Sequence, residues 1–533
     1  MTDTAGLADF VNVTGAFGSK WFPETVGGGV AFLDVDGDHW QDVALVGGGT
    51  WPERSDQPVR SVWLFRNNGD GTFTDITDRS GLSDVRAYGQ GIASADYDAD
   101  GDDDIYLTTL SRNLLLRNDA GTFVDRTNEA GLADEEVWST SALFFDAEAD
   151  GDLDLYVGNY VDWSPEKDIR CTIDGENKAY CTPQLYTGIP GSFYVNNGDG
   201  TFDNRTAQAG FSQSPGKTLG VAEWDFNDDG FSDLVVANDT QRDLLFINNG
   251  DGTFTESGVA SGIAFDENGR SRAGMGIDIG VIDGSGRPAI VVGHFTNEMI
   301  GVYQQIGENL FMDRAAQSRI GRPSIPTLTF GLVMTDADAD GDLDVFVANG
   351  HIDEDAERVQ EGVSYRQYPQ LFVNDGNGRF EDFGPPVPRR IVARGLASAD
   401  YDRDGDEDLI ITENGGPVYL LRNDQVDANA LRLVLVGEGG NRGALGAKVE
   451  VFAGRRIVRR VRTGSSYLSC SERALTIGLG DNVAADSILI RWPSRNSESV
   501  TDLAGGFEYH IAEGEGVVTR SRLQSGESGG QGV

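Results

Sequence analysis

From residue 30 onward, short apolar runs alternate with polar, glycine-rich turns, and the alternation repeats. The recurring unit is an apolar run, a carboxylate-rich loop, a second apolar run, a gap, a third run ending in a turn such as Asn67-Asn68-Gly69-Asp70-Gly71-Thr72-Phe73, and a fourth of the type Phe-Thr-Asp-Ile-Thr. The turn returns in shortened form at 118–123 and again at 196–202, 248–254 and 374–380. Asn and Gly tolerate positive φ, and such steps between apolar runs are the strongest short-range hairpin signal. Each unit therefore predicts two hairpins. Four-stranded units of roughly 50 to 80 residues match the blades of a β-propeller, in which radial repetition leaves only short, protected sheet edges.

The carboxylate loop is the sharpest element of the unit. With oxygens at positions 1, 3, 5 and 9 it reads Asp34, Asp36, Asp38 and Asp42, then Asp96, Asp98, Asp100 and Asp104, then Asp146, Glu148, Asp150 and Asp154. It continues as Asp225, Asn227, Asp229 and Asp233, as Asp336, Asp338, Asp340 and Asp344, and as Asp400, Asp402, Asp404 and Asp408. An eroded copy, fifth along the chain, keeps Asp283 and Ser285 but has Val281 and Ala289 at positions 1 and 9. Ca²⁺ takes six to eight oxygens at about 2.3 to 2.6 Å, which such a loop supplies with one added backbone carbonyl, whereas Mg²⁺ demands a rigid octahedron. Without a cation the clustered carboxylates repel one another and their pKa values rise. Six intact loops predict about six Ca²⁺ ions. The fifth copy is expected to stay empty, and the first carries His39 where the others have Gly.

Seven copies predict an all-β, seven-bladed β-propeller over residues 1–425. The last unit stops after Asn423 without a fourth run, while the chain begins with Phe10-Val11-Asn12-Val13-Thr14, a fourth-run segment with no preceding unit. That N-terminal strand is expected to complete the last blade. Residues 426–516 read as five short strands, at 431–436, 447–452, 457–461, 474–479 and 487–492, hence a small β-sandwich or barrel, with 517–533 as a flexible tail. This region holds the one basic cluster, Arg455, Arg456, Arg459, Arg460 and Arg462, best explained as a strand face docked on the acidic propeller.

Composition narrows the partners. The formal charge of −44 over 533 residues excludes nucleic-acid binding, which rests on clustered Lys and Arg. About twelve charges from six Ca²⁺ ions would lower that excess without abolishing it. With 39% hydrophobic residues the chain can bury large cores, and its 71 glycines without a triplet period signify tight turns. No run of about 18 apolar residues is present, so no membrane-spanning helix is expected. Residues 1–10 lack the basic and apolar regions of a secretory signal, which leaves an extracellular or periplasmic protein without its leader, or a cytoplasmic one if Met1 is the native start. Cys171 and Cys181 can close a small loop in an oxidising compartment or stand as thiols in a reducing one, with Cys470 apart from both.

The repeats resemble FG-GAP or VCBS-type repeats, the calcium-loop units of integrin α-subunit propellers. Asn441-Arg442-Gly443, Gly464-Ser-Ser-Tyr467-Leu468-Ser469, Gly478-Leu479-Gly480 and Arg491-Trp492-Pro493-Ser494 resemble the ASPIC/UnbV domain. Together they are similar to the cartilage acidic protein family, whose members are mostly secreted. The resemblance implies calcium binding, and at Tyr180-Cys181-Thr182-Pro183 it implies the family's Cys-bearing insertion, with Cys171 paired to Cys181.

No catalytic signature is found. The four histidines, His39, His294, His351 and His510, are too scattered for a zinc site or triad. One polar constellation repeats where the run after each acidic loop ends: Asn159 and Tyr160, Asn238 and Asp239, His294 and Asn297, Asn349, His351 and Asp353, and Glu413 and Asn414. Equivalent positions on successive blades fall in a ring on one face, so these residues are the expected ligand site, at the channel mouth. The expected function is a non-enzymatic binding scaffold for an unidentified protein, glycan or small-molecule ligand. Because some UnbV-type proteins are encoded in enediyne biosynthetic clusters, the resemblance also implies an alternative: an accessory protein or enzyme of natural-product assembly.

Overall fold

The computed structural model describes residues 2, 4–51, 59–133, 136–172, 175–266, 268–424 and 429–524. Six four-stranded sheets and one three-stranded sheet succeed one another along residues 30–421. Their first strands, Val30–Leu33, Gly89–Ala95, Ser139–Phe145, Thr218–Trp224, Ile277–Gly280, Thr329–Thr335 and Ala393–Ala399, are buried throughout. Each lies beside the next, and the seventh lies beside the first. The sheets therefore close into a seven-bladed propeller. Its apolar cores sit between successive blades, as where Leu143, Phe193 and Phe211 of the third unit meet Val221, Leu234, Phe246 and Phe254 of the fourth.

The expected N-terminal strand is not formed. The last sheet has three strands among the described residues, and residues 10–14 make a single parallel bridge, Val13 to Gly48 of the first blade. Asn12 meanwhile donates its backbone N–H to Gly416 O of the last blade at 2.8 Å. Leu7 and Phe10 are buried among Val43, Phe65, Val418 and Leu420. The segment is thus a wedge across the first–last junction: its side chains fill the inter-blade core while its backbone bonds both neighbours, and too few residues run alongside the last blade to build a ladder.

Residues 430–522 form a β-sandwich of two four-stranded sheets. The five expected strands are present, joined by Ser497–Ala504, Phe507–Ala512 and Gly516–Arg522. The last of these pairs with Phe507–Ala512, so residues 517–522 are strand and not tail, while 525–533 lie outside the described residues. The side chains of that strand are largely exposed, so its place rests on ladder hydrogen bonds and it carries no apolar alternation to read.

Between the sandwich strands Arg455–Arg460 and Leu475–Gly478, residues 463–472 leave the domain and enter the propeller channel. This plug touches all seven inner strands. Cys470 N–H donates to Val30 O (2.9 Å), Ile92 N–H to Leu468 O (3.0 Å) and Leu468 N–H to Ser141 Oγ (3.1 Å). Thr463 and Gly464 N–H groups reach the Glu223 carboxylate at 3.1 and 3.2 Å, Ser466 pairs with Ile277, Leu332 N–H donates to Ser466 Oγ, and Glu472 N–H donates to Ser398 O. Inner strands offer unpaired backbone groups toward the channel, and buried groups of that kind need partners. The small hydroxyl-rich plug supplies them.

Candidate functional site

The acidic loops join the first and second strands of their blades, and the ninth-position aspartate is the first residue of the second strand. Backbone donors fold each loop around its carboxylates. The sixth-position N–H donates to the first Asp, as from Gly101 to Asp96 at 3.0 Å and Gly405 to Asp400 at 3.2 Å. The ninth Asp accepts the second-position N–H and the N–H of an asparagine ending the third strand: Asp104 from Tyr97 (3.1 Å) and Asn118 (2.8 Å). In the first loop His39 takes φ +67°, donates to Asp34 at 2.8 Å and keeps the same turn that Gly makes elsewhere.

Carboxylate oxygens of Asp34, Asp36 and Asp42 lie within 4.8 Å of one another, as do those of Asp96, Asp98 and Asp104, of Asp336, Asp338 and Asp340, and of Asp400, Asp402 and Asp404. Burial pushes Asp42 up to about 8, Asp104 to about 9 and Asp344 to about 8, and raises Asp154 and Asp408 well above the usual range, with neighbouring carboxylates adding to the shift. Buried oxygens of Asp96, Asp98, Glu148, Asp402 and Asp408 have no hydrogen-bond partner among the described residues. An all-oxygen donor set with orphaned, buried acceptors fits a hard divalent cation. The eroded fifth copy presents Asp283 and Ser285 in a turn of its own, where Asp283 Oδ1 accepts Ser285 N–H at 2.9 Å.

A second feature of these loops escaped the sequence reading. The third-strand asparagine that bonds the ninth Asp also sends its side-chain Nδ2 to the second-position carbonyl of the preceding blade: Asn118 to Val35, Asn196 to Tyr97, Asn248 to Ala147, Asn374 to Ile282 and Asn423 to Ala337, at 2.8 to 3.0 Å. Asn67 reaches Tyr401 and closes the circle, and Gln305 reaches Phe226 in the blade whose loop is eroded. Each loop is therefore tied to its neighbour. The first Asn of the Asn-Asn-Gly-Asp-Gly turn carried this signal, beyond its role in the hairpin.

The C-terminal domain sits on the face that carries the acidic loops. Arg460 lies 3.5 Å from Asp225, Arg459 3.7 Å from Asp336 and Arg432 3.9 Å from Asp400, each against the first aspartate of a loop. Arg455 pairs with Asp342 at 2.6 Å, Lys448 with Asp228 at 2.6 Å and Arg473 with Asp103 at 2.7 Å. The basic cluster is thus committed to the propeller, with Arg462 on Asp278; Arg456 instead turns to Glu450 of its own sheet.

At the opposite mouth the expected polar ring separates into different roles. Asn159, Asn238 and Asn349 are buried strand-end locks, accepting Ser139, Thr218 and Thr329 hydroxyls at 2.8, 3.3 and 2.7 Å. Glu413 accepts Tyr419 OH at 2.5 Å and pairs with Arg366, and Asn414 donates to Glu24 O. His294 is buried against Met299 O, and desolvation holds it well below its ordinary pKa. Asp353 N–H donates to His351 Nδ1, and burial lowers His351 to about 4. Asn297 is exposed at φ +70°, and Asp353 Oδ1 accepts Asp355 N–H. These side chains do not converge, because strand-end turns consume most of them.

Tyr160 and Asp239 do meet. Tyr160 OH donates to Asp239 Oδ2 at 2.5 Å across the third and fourth blades. Both line a cavity of about 140 Å³ with Phe22, Leu219, Met275, Phe295, Glu298 and Phe330. Burial pushes Asp239 up to about 7, opposed by the Tyr160 hydrogen bond and Lys217. The cavity borders an aromatic cap of Trp51, Trp138, Trp163 and Tyr186 and the plug tip, Tyr467 and Leu468. Cys171 and Cys181 are joined in a disulfide within the third-blade insertion that walls this mouth, while Cys470, buried in the plug, is free. Phe22 and Glu298 were missed because neither stands at a recurring position of the repeat, and Phe295 and Phe330 because the recurring positions they hold were read for polar residues.

Known families match the two parts of this architecture. The FG-GAP-like repeat matches residues 34–107, 96–157, 225–292 and 336–411, and the ASPIC and UnbV family matches 437–518. Cartilage acidic protein 1 of Homo sapiens is 26% identical over 298 residues, covering 54% of this chain and 42% of the relative. Its Xenopus tropicalis counterpart is 28% identical over 322 residues, covering 58% and 46%, so the alignments span less than half of those relatives. Among solved structures, an Agrocybe aegerita lectin described in specific recognition of non-reducing terminal N-acetylglucosamine superimposes with a TM-score of 0.41 at 17% identity, covering 74% of this chain and 87% of its own.

Proposed function

Given that the chain belongs to the FG-GAP-like repeat family and carries an ASPIC and UnbV domain, we propose that it is a calcium-stabilised, non-enzymatic binding scaffold that works outside the cell and holds its ligand at the cavity mouth. The observation that carries the reading is the set of buried carboxylate oxygens left without partners, among the described residues, in three of the acidic loops, at the third position in each. Bound Ca²⁺ supplies the positive charge that lets those carboxylates ionise side by side. The chain's own residues do the rest. Backbone N–H groups at the second and sixth positions orient the carboxylates, the asparagine relay transmits each loop's geometry to the next blade, and Arg432, Arg459 and Arg460 seat the C-terminal domain on three loops. The Cys171–Cys181 disulfide supports an oxidising compartment.

Six filled loops are the expected stoichiometry, with the fifth copy empty. Thermal melts in calcium and in EDTA test the reading, since a cation that binds the folded state alone must stabilise it. A second reading, an enzyme of natural-product assembly, is favoured by one observation: Tyr160 OH donates to the Asp239 carboxylate inside a largely apolar cavity, an arrangement able to donate or accept a proton. Loss of turnover of a co-encoded pathway's intermediate in a folded Asp239→Asn variant would support it.

A further inference from the structure

We propose that the cavity at the channel mouth binds a small organic cation, an amine carried on a single apolar ring, held between the Asp239 and Glu298 carboxylates. The inference rests on the proposed ligand site and names the chemistry it selects. Four aromatic side chains, Phe22, Tyr160, Phe295 and Phe330, wall the space, and two carboxylates open into it. Aromatic faces attract cations, most strongly when water is excluded, and a buried carboxylate gains from a positive partner.

Arg394 already stacks on one wall, 3.9 Å from the Phe330 ring centroid, but the protein's own cations do not neutralise the two carboxylates. Lys217, the nearest basic neighbour of Asp239, donates Nζ to Pro183 O at 2.7 Å, and among the described residues no Lys or Arg nitrogen pairs with Asp239 within 4 Å. Arg272, the cation beside Glu298, pairs with Asp313 at 2.8 Å. Each carboxylate also keeps a firm anchor: Tyr160 OH fixes one oxygen of Asp239, and Ala273 N–H donates to Glu298 Oε2 at 2.8 Å. Both acids are therefore positioned and undercompensated. Desolvation raises both acids, with Glu298 adding to the shift on Asp239 and Asp266 adding to that on Glu298. A ligand bringing one positive charge relieves both at once.

Size sets the other limit. A volume of about 140 Å³ accommodates one aromatic ring, so a fused-ring amine is excluded.

The test is calorimetric titration of the calcium-loaded full chain with benzylamine, with its neutral counterpart benzyl alcohol, and with 1-naphthylmethylamine. Benzylamine is expected to bind at least tenfold more tightly than either, and Glu298→Gln and Asp239→Asn each to weaken it at least tenfold. The comparison of benzylamine with benzyl alcohol needs no substitution, and Glu298, the less buried acid, gives the variant least able to disturb folding. Equal binding of the amine and the alcohol in wild type would overturn the cation claim and leave the ligand cavity standing. Absence of heat from both at millimolar concentration would overturn the cavity reading together with it.

Discussion

Truncating the plug at Tyr467→Ala tests whether the channel is filled from the C-terminal domain. Tyr467 is wholly buried, its ring stands edge-on to Phe330 at 4.9 Å between centroids, and its hydroxyl accepts Gly27 N–H at 3.3 Å. Removing a buried aromatic ring costs about 3 to 5 kcal/mol in lost contacts and cavity. The stranded Gly27 donor adds about 1 kcal/mol or more. Tyr467→Phe keeps the ring and loses the hydrogen bond alone, so it should cost about 1 kcal/mol. The two variants should therefore differ by about 3 kcal/mol or more in urea unfolding at saturating calcium, read as shifted midpoints at constant slope. If both cost less than about 1 kcal/mol, the tyrosine is not enclosed and the plug does not occupy the channel in solution.

Three further outcomes follow from the same geometry. Asn196→Leu, which breaks the tie to Tyr97 O and leaves that buried carbonyl unpaired, should cost about 2 kcal/mol in denaturant unfolding, whereas Asn197→Leu, whose side chain bonds the exposed Thr201, should cost under about 0.5 kcal/mol. In EDTA, the carboxyls of Asp42, Asp104 and Asp344, raised to about 8, 9 and 8 in the fold, bind protons that the unfolded chain has released above about pH 4, so calcium-free stability should fall as pH climbs from 4 through 9. Saturating calcium keeps those groups ionised and should flatten the fall, which melts across pH in both conditions will show; a calcium-free protein that gains stability over this range contradicts it. Cys181→Ser opens the loop closed by a disulfide of sequence separation 10 and should cost at most about 3 kcal/mol, with faster proteolysis between 160 and 190.

The propeller was legible because its signals are local and repeated. Nine residues of acidic loop and an Asn-Gly turn specify two hairpins wherever they occur, and seven copies fix the number of blades. The long-range contacts were not legible. Phe10 to Thr14 look like a strand, yet their bonds go to Gly47 and Gly416, far apart in the chain. Gly464 to Ser469 matched a family pattern without revealing that small hydroxyl side chains suit it to a channel lined by backbone edges. Asn159 and Asn349 stood at ring positions, but a buried amide at a strand end is satisfied first by the turn it closes. Asp239 survived as a candidate because Tyr160 meets it across a blade boundary, a pairing no spacing within one unit encodes.

The most direct test of calcium as the pin of the wheel is a metal-content measurement on the dialysed full chain, paired with its melting temperature before and after EDTA. The account predicts about six calcium ions per chain and a substantial fall in melting temperature on their removal, since each site held at a hundredfold excess over its Kd contributes about 2.7 kcal/mol. A chain that binds no calcium, or melts at the same temperature with and without it, would contradict the account.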